Sequence, residues 1–333
     1  MNELKGKSIV ISGVGSFTPP KIMTNDDLSK IVETSDEWIR TRTGIRERRI
    51  AEDGVTTSDM AAQAAHEAIR DAGLEVNDIG LIVVATVTPD MPFPNTACFV
   101  QTKLGMGKVP AFDIEAACSG FLYAMDVARG LMTVNGTKHA LVIGAEKLSS
   151  ITNWEDRTTC VLFGDGAGAV VLSQSDKPDT GVISILTGAD GSESDILSVP
   201  GGGSAHPSTV ETIERSMHKI QMQGNQVFKH AVRVMCQSAI DVLEKSGLTA
   251  DDVDLVVPHQ ANTRIIEALD QRLGLGLEKF KINLDRYGNT SAASIPIALD
   301  EAYRNGRIKS GDNILMVAFG GGLTWASALI RWQ

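Results

Sequence analysis

No two of the four cysteines, Cys98, Cys118, Cys160 and Cys236, stand at C-x-x-C spacing. That scatter excludes a disulfide frame and a cysteine zinc site, and the four read as reduced thiols of a cytoplasmic protein. Met1 to Lys7 passes straight into Ile9-Val10-Ile11 and is too short for the apolar core of a signal peptide. No apolar run approaches the length of a membrane span. Positive charge is in deficit: 31 Lys and Arg against 41 Asp and Glu leave a net charge of −10. A broad nucleic-acid surface is therefore not expected, and an acidic partner must meet a local basic patch. There is no metal-ligand spacing and no phosphate-loop lysine. Gly164-Asp165-Gly166-Ala167-Gly168 is glycine-rich, but it lacks the G-x-G-x-x-G spacing. It runs into a strand, not a helix, so it reads as a structural turn.

What is present is an ordinary globular composition, 43% hydrophobic and 22% charged over 333 residues. That is enough chain for two packed units or one double-cored fold. A first strand is expected over Ser8 to Val14, closed by Gly13 and Gly15. A short helix is expected over Asn25 to Val32. Thr34 or Ser35 caps the next helix, with Asp36 and Glu37 in its first turn. The basic run Arg40, Arg42, Arg46, Arg48 and Arg49 fits a solvated face or an anion site. Ser58 to Gly73 reads as a helix stopped by Gly73, and Leu81 to Thr86 as a strand buried on both faces.

The chain also repeats itself. Residues 68–86 lie on residues 242–260 without a gap: helix end, glycine, leucine, acidic turn, apolar strand. Leu104 to Gly107 then resembles Leu273 to Gly276, and Lys138 to Gly144 resembles Asp312 to Ala318, in the same order. Two duplicated β/α halves are inferred, 1–175 and 176–333, with the boundary between Ser173 and Gly181. Open α/β sheets place reactive groups beyond the carboxyl ends of their strands. Three residues fall at such exits. Cys118 follows the extended run ending near Glu115 and precedes a helix with Leu122, Met125, Val127, Leu131 and Met132 at helical spacing. A helix N-terminus there favours thiolate, though a free cysteine is as readily a small buried apolar residue. His259 follows Leu255-Val256-Val257-Pro258. Asn289, near the place that answers to Cys118 in the second half, follows Gly288 and reads equally as a turn or cap. Gly320-Gly321-Gly322 follows another apolar strand and allows a backbone N–H close approach to an oxyanion.

Together, Ala116-Ala117-Cys118-Ser119-Gly120-Phe121, Pro258-His259-Gln260-Ala261-Asn262, Gly288-Asn289-Thr290-Ser291-Ala292-Ala293-Ser294 and Phe319-Gly320-Gly321-Gly322 resemble the β-ketoacyl-acyl carrier protein synthase III family. Thr34-Ser35-Asp36-Glu37-Trp38-Ile39-Arg40-Thr41-Arg42-Thr43-Gly44-Ile45 adds to the resemblance, which extends from Ile11 to Trp332. It implies a thiolase-like five-layer αβαβα fold, a homodimer, and a decarboxylative Claisen condensation of acyl-CoA (acetyl-CoA the first expectation) with malonyl-acyl carrier protein. By the same resemblance Cys118 carries the acyl group, His259 and Asn289 stabilise the enolate, and the N–H groups of Cys118 and Gly321 hold the oxyanion. Trp38 and Arg157 would sandwich the CoA adenine, with Thr34 and Arg42 nearby. Gly224, Asn225, Phe228, Ala261 and Asn262 would line the pantetheine tunnel. Gln260, Ala261, Asn262, Thr263, Arg264, Lys229 and Arg272 would meet the carrier protein, with Gln271 standing where a second base is common. Phe93 of a partner subunit would border the acyl pocket. No cofactor beyond the CoA thioester substrate, no metal, no nucleic acid and no membrane contact is implied. A specialised-pathway homologue, a catalytically silent subunit and a cysteine hydrolase are the competing readings. The last needs a base paired to the cysteine, and the Asn-bearing motif suits an enolate better.

Overall fold

The computed structural model describes residues 7–333; the short segment before Lys7, on which the signal-peptide expectation rests, lies outside the described residues. Nine strands build two main sheets. The first contains β1 (Ser8–Phe17), β2 (Ile82–Ala85), β3 (Ala111–Ile114), β4 (His139–Glu146) and β5 (Gly166–Ser175), in the order β1-β5-β4-β2-β3. The second contains β6 (Gly181–Ala189), β7 (Leu255–Pro258), β8 (Asn313–Gly320) and β9 (Thr324–Arg331), in the order β7-β8-β9-β6. Reading β6, β9, β8, β7 beside β1, β5, β4, β2 gives the same order. The fifth strand of the second sheet shrinks to one parallel bridge, Val256 to Phe280. The register repeats as well. Ile82 pairs Leu141 in the first sheet and Val256 pairs Leu315 in the second, each residue 174 positions beyond its counterpart.

Side-chain alternation along each strand sorts the layers. On β4, Ala140 and Val142 face one core, while Leu141, Ile143 and Ala145 face another. On β8, Ile314, Met316 and Ala318 share the first of these cores, while Leu315, Val317 and Phe319 turn to a third. The shared core is filled by two helices, α4 (Gly120–Asn135) and α7 (Ser294–Arg304), sandwiched between the sheets. Helices α2 (Thr57–Asp71) and α3 (Thr96–Lys103) cover the outer face of the first sheet. Helices α5 (Gly224–Lys245) and α6 (Thr263–Leu273) cover that of the second. The remaining long helix, α1 (Asp36–Thr43), is capped by Ser35, whose hydroxyl accepts the Trp38 N–H. The result is a five-layer αβαβα stack.

Some expected boundaries move. Strand β1 does not end at Val14 but runs on to Phe17 with a register shift between Ile11 and Gly13, and Gly13 and Gly15 let α2 pack directly on it. The helix expected over Asn25 to Val32 spans only Asn25–Leu28, held by a Thr24–Asp27 capping box. The basic run is not one solvated face. Arg48 is wholly buried, donating to the carbonyls of Met23 and Val161 and to Asn25 Oδ1. The glycine-rich turn does enter a strand, and its Asp165 is buried, accepting from the Ala51 and Ser149 N–H groups.

Two matching turns open the central helices. Ala117–Ser119 precedes α4 and Ser291–Ala293 precedes α7, each entered through a non-glycine residue at positive φ: 45° at Ala117 and 47° at Ser291. Such conformations cost about 1–2 kcal/mol each and persist only where the surroundings enforce them. The counterpart of Cys118 is thus Ala292, three residues beyond the place near Asn289 that the repeat suggests. Gly144 on β4 presses against this second turn; a Cβ there would run into the carbonyl oxygen of Ala292. Gly144→Ala is therefore expected to lower stability by about 2–3 kcal/mol through overpacking, read as a lower urea midpoint at unchanged slope.

Candidate active site

Cys118 sits where β3 gives way to α4, His259 just beyond the end of β7, and Asn289 just before the turn into α7. All three line one narrow cavity of about 120 Å³, together with Phe163, Phe228, Ala261 and Asn262. Cys118 also opens onto a second cavity of about 390 Å³, walled by Val87, Leu148, Ile151, Leu197, Ile220 and Gly321. The nucleophile candidate thus stands between two spaces, a narrow one that also holds His259 and Asn289 and a wider one whose apolar wall is interrupted by Glu115, Ser194, Ser198, Ser291 and Thr324. Gly320, the last residue of β8, lies close beneath it: a Cβ on Gly320 would come within 2.5 Å of the Cys118 backbone nitrogen. That approach brings the Gly320 to Gly322 connection alongside Cys118.

The hydrogen bonds of the second-half pair fix which of their atoms remain free. His259 is 3% exposed, and its Nδ1 lies 2.7 Å from Ser294 Oγ. Ser294 Oγ accepts the Gln260 N–H at 3.4 Å, so its own proton is available to Nδ1. With that hydrogen turned to Nδ1, the ring proton lies on Nε2. Burial lowers the imidazole to about 4, so it is neutral at physiological pH. Asn289 Oδ1 accepts the Ser291 N–H at 2.8 Å, which leaves its NH2 group to donate. The Asn289 backbone is gripped from both sides, its N–H donating to Leu162 and its carbonyl accepting from Gly164. Both residues therefore have their acceptor atoms engaged and a neutral donor to spare.

Cys118 departs from expectation. Burial, and secondarily the Glu146 carboxyl, push its thiol up to about 12, against the pull of the Ser291 hydroxyl. The helix N-terminus does not make this a standing thiolate, because desolvation in the central layer outweighs it. Glu146, Ser291 and Ser294 escaped the sequence reading. Glu146 ends the apolar run Leu141-Val142-Ile143-Gly144-Ala145, the same strand-exit signal that picks out His259.

The remaining candidates lie around the mouth. Asn262 caps α6, and its side-chain amide donates to the Arg42 carbonyl. Arg264 reaches the Thr41 carbonyl, and Thr263 packs against Gly44, so α1 is tied to the cavity entrance. On α1, Arg42 lies 4.5 Å from the Trp38 ring centroid and Arg157 lies 5.3 Å from it. An adenine held between two flat groups needs roughly 7 Å. The Trp38–Arg157 gap is thus closed here, with Arg157 tethered to the Glu33 carbonyl, and a ring would enter only by lifting that side chain. The Thr34 hydroxyl is buried and has no partner among the described residues. Gly224 lines the narrow cavity, whereas Asn225 does not. Lys229, Arg264 and Arg272 are exposed, Arg272 beside Gln271 in an open groove between α5 and α6. Gln260 is a correction: it is 1% exposed, and its side chain is spent on Pro258, Lys281 and Asn283, so it offers nothing to a docking protein. Phe93 is 84% exposed and borders neither cavity of its own chain. Among the described residues no cluster of metal ligands occurs, and no helix is long and apolar enough to cross a membrane.

Comparison with known proteins agrees with the resemblance. Residues 112–191 match the family model described as 3-oxoacyl-[acyl-carrier-protein (ACP)] synthase III, and residues 243–332 match its C-terminal counterpart. A Caldanaerobacter subterraneus β-ketoacyl-[acyl-carrier-protein] synthase III is 56% identical, covering 97% of both chains. Among solved structures, the 3-oxoacyl-[acyl-carrier-protein] synthase III of Aquifex aeolicus superposes with a TM-score of 0.90 at 50% identity, over 98% of this chain and all of that one. The priming β-ketosynthase of the R1128 polyketide biosynthetic pathway gives 0.89 at 35%, over 97% and 96%.

The neutral state of His259 can be checked directly. Its folded-state value of about 4 lies below the ordinary 6.5, so the unfolded chain binds a proton that the fold refuses. This contribution to stability is intact above pH 6.5 and is lost as pH falls toward 4. Imidazole 15N NMR should show His259 uncharged from about pH 8 down to about pH 5, and His259→Gln should flatten the fall in unfolding free energy over that window. An imidazolium signal already present at pH 6 would contradict the burial argument.

Proposed function

Because the chain belongs to the β-ketoacyl-[acyl-carrier-protein] synthase III family, we propose that its buried cysteine, histidine and asparagine divide between them the two halves of that family's condensation. Membership makes the chain a condensing acyltransferase that initiates fatty-acid synthesis. In our reading Cys118 accepts the acyl group of an acyl-CoA as a thioester and CoA leaves. Malonyl-acyl carrier protein then enters the narrow cavity and loses CO2. The enolate so formed attacks the thioester carbon, and collapse of the tetrahedral intermediate returns Cys118 and releases a 3-oxoacyl-carrier product. The N–H groups of Cys118 and Gly321 are assigned to the oxyanion of each acyl transfer.

The observation that carries this reading is the engaged state of the His259 and Asn289 acceptor atoms. With Nδ1 held by Ser294 and Oδ1 held by Ser291 N–H, what remains for the cavity is two uncharged donors. Two such donors suit the oxygen of a developing enolate. They suit poorly the base that a cysteine hydrolase needs. The roles at the mouth follow: adenine against Trp38 once Arg157 lifts, pantetheine along Gly224, Phe228, Ala261 and Asn262, and the acidic carrier on Lys229, Arg264 and Arg272. Asn225 and Thr263 flank these contacts. The chemistry needs no cofactor or metal beyond the CoA thioester. The exposed Phe93 fits a homodimer in which it reaches the partner's acyl pocket. A cytoplasmic location accords with four free thiols.

Acetyl-CoA is the first starter to test. A longer or branched starter of a specialised pathway is the second reading, favoured by the size of the wider cavity beside Cys118 and by the likeness to a priming β-ketosynthase. Intact mass after incubation with a panel of acyl-CoAs separates the two by the increments that appear on the protein.

Cys118→Ser is expected to abolish the acyl increment. His259→Ala and Asn289→Ala should keep it while slowing decarboxylation about a hundred- to a thousandfold, as loss of one oxyanion donor typically does. Equal damage to both half-reactions would refute the division of roles. Trp38→Ala should raise KM for acyl-CoA about tenfold with kcat near the parent value, measured by steady-state kinetics.

A further inference from the structure

The division above leaves one proton without a destination. Burial holds Cys118 toward its thiol form, and the thiol hydrogen must go somewhere when sulfur attacks the acyl carbonyl. His259 is a poor receiver, since its Nδ1 is engaged by Ser294 and burial disfavours the imidazolium that a second proton would make. A carboxylate lies on the other side. Glu146, at the end of β4, is fully buried. Its Oε1 accepts the Ser291 hydroxyl at 3.0 Å, and its Oε2 accepts the Thr88 and Thr86 hydroxyls at 2.7 and 3.2 Å. The Val87 N–H reaches both oxygens, at 3.1 and 3.3 Å. Ser291 lines the same cavity as Cys118, and its turn packs against the turn that carries Cys118. Its φ of 47° sets it at the head of the turn that answers to the Cys118 turn in the other half.

We propose that Glu146 is a positioning residue that stores the Cys118 proton during acyl transfer, reaching it through the Ser291 hydroxyl. The step balances within the site. The thiol hydrogen passes to the Ser291 oxygen as the Ser291 hydrogen passes to Glu146 Oε1. The sulfur pair forms the new S–C bond, and the oxyanion collapses with cleavage of the bond to the CoA sulfur. The departing CoA thiolate takes the proton back by the same route, and the carboxylate is restored. The inference rests on Cys118 being the nucleophile.

The arrangement also sets when the enzyme can acylate. Burial pushes the Glu146 carboxyl up to about 7, against the hydrogen bonds of Thr88, Val87, Ser291 and Thr86. The titratable group that faces it is Cys118, on the α4 side. From the end of β2 it meets Thr86, Val87 and Thr88, and from the α7 side Ser291. The ammonium of the adjoining Lys147 turns away to the carbonyls of Glu52 and Val55. Only the ionised carboxylate can receive a proton, so acylation should fall as pH drops through that region.

The test is the pH profile of acyl-enzyme formation from acetyl-CoA, followed by rapid quench and intact mass, in the whole enzyme and in Glu146→Gln. We expect at least a tenfold slower acylation in the variant and loss of the bend near neutrality, with a much smaller fall in condensation from enzyme already acylated. Iodoacetamide supplies a probe free of CoA binding. A relay predicts slower alkylation of Glu146→Gln. A carboxylate that merely repels the thiolate predicts faster alkylation, and that result, or acylation with the parent rate and profile, overturns the proposal. Ser291→Ala keeps the backbone N–H that holds Asn289 and should slow acylation in the same direction if Glu146→Gln does not fold; normal acylation there equally defeats the relay. Cys118→Ser separates the two levels of inference. If it still takes up an acyl group, the nucleophile assignment fails; if it does not and Glu146→Gln acylates normally, only the relay fails.

Discussion

Two helices wedged between two sheets govern this site. Helix α7 is buried almost throughout in the central layer and α4 buries its inner face there, and their opening turns meet at Cys118 and Ser291. Water is excluded there, so a charge survives only when directly paired or hydrogen-bonded. The protonation states follow from that single condition. The imidazole stays neutral, the thiol keeps its hydrogen, and the carboxyl of Glu146 is drawn toward neutrality despite five hydrogen bonds. A site so poor in standing charge loses little when substrate displaces the last water. It also responds strongly to a charge that appears only during reaction.

The outer parts obey different physics. Trp38, Arg42 and Arg157 form a stack at the surface, joined to the cavity mouth by hydrogen bonds from Asn262 and Arg264 to the carbonyls of α1. Contacts there are partly solvated and individually weak. Their value lies in location: they sit at the entrance to a narrow apolar channel that leads to Cys118. Between the two regimes runs the segment around Phe163, whose backbone clasps Asn289 on one side while the Val161 carbonyl accepts from the buried Arg48 on the other.

Much of this was readable from the residues. The gapless repeat of 68–86 on 242–260 anticipates the register of the two sheets, because each copy carries the same apolar alternation. The strand-exit rule picks out Cys118 and His259 because strands in such sheets end at the cleft. What escaped has physical causes. Ser291 and Glu146 matter through long-range pairing between halves, and Glu146 to Ser291 spans 145 positions of chain. The burial of Arg48 and of Gln260 depends on which neighbours close over them, so a basic run and a motif residue look exposed in sequence and are not. The lowered thiol expected from a helix N-terminus fails for the same reason: the dipole is legible locally, but the depth of burial is not.

The repeat carries a last implication. At the position that corresponds to Cys118, the second half holds Ala292, and at the position that corresponds to His259 the first half holds Ala85. The first half carries the sulfur without the imidazole, and the second the imidazole without the sulfur. Doubling the chain therefore yielded a single asymmetric centre instead of two equal ones. The halves became mutually dependent, and a change that loosens their shared seam would silence both.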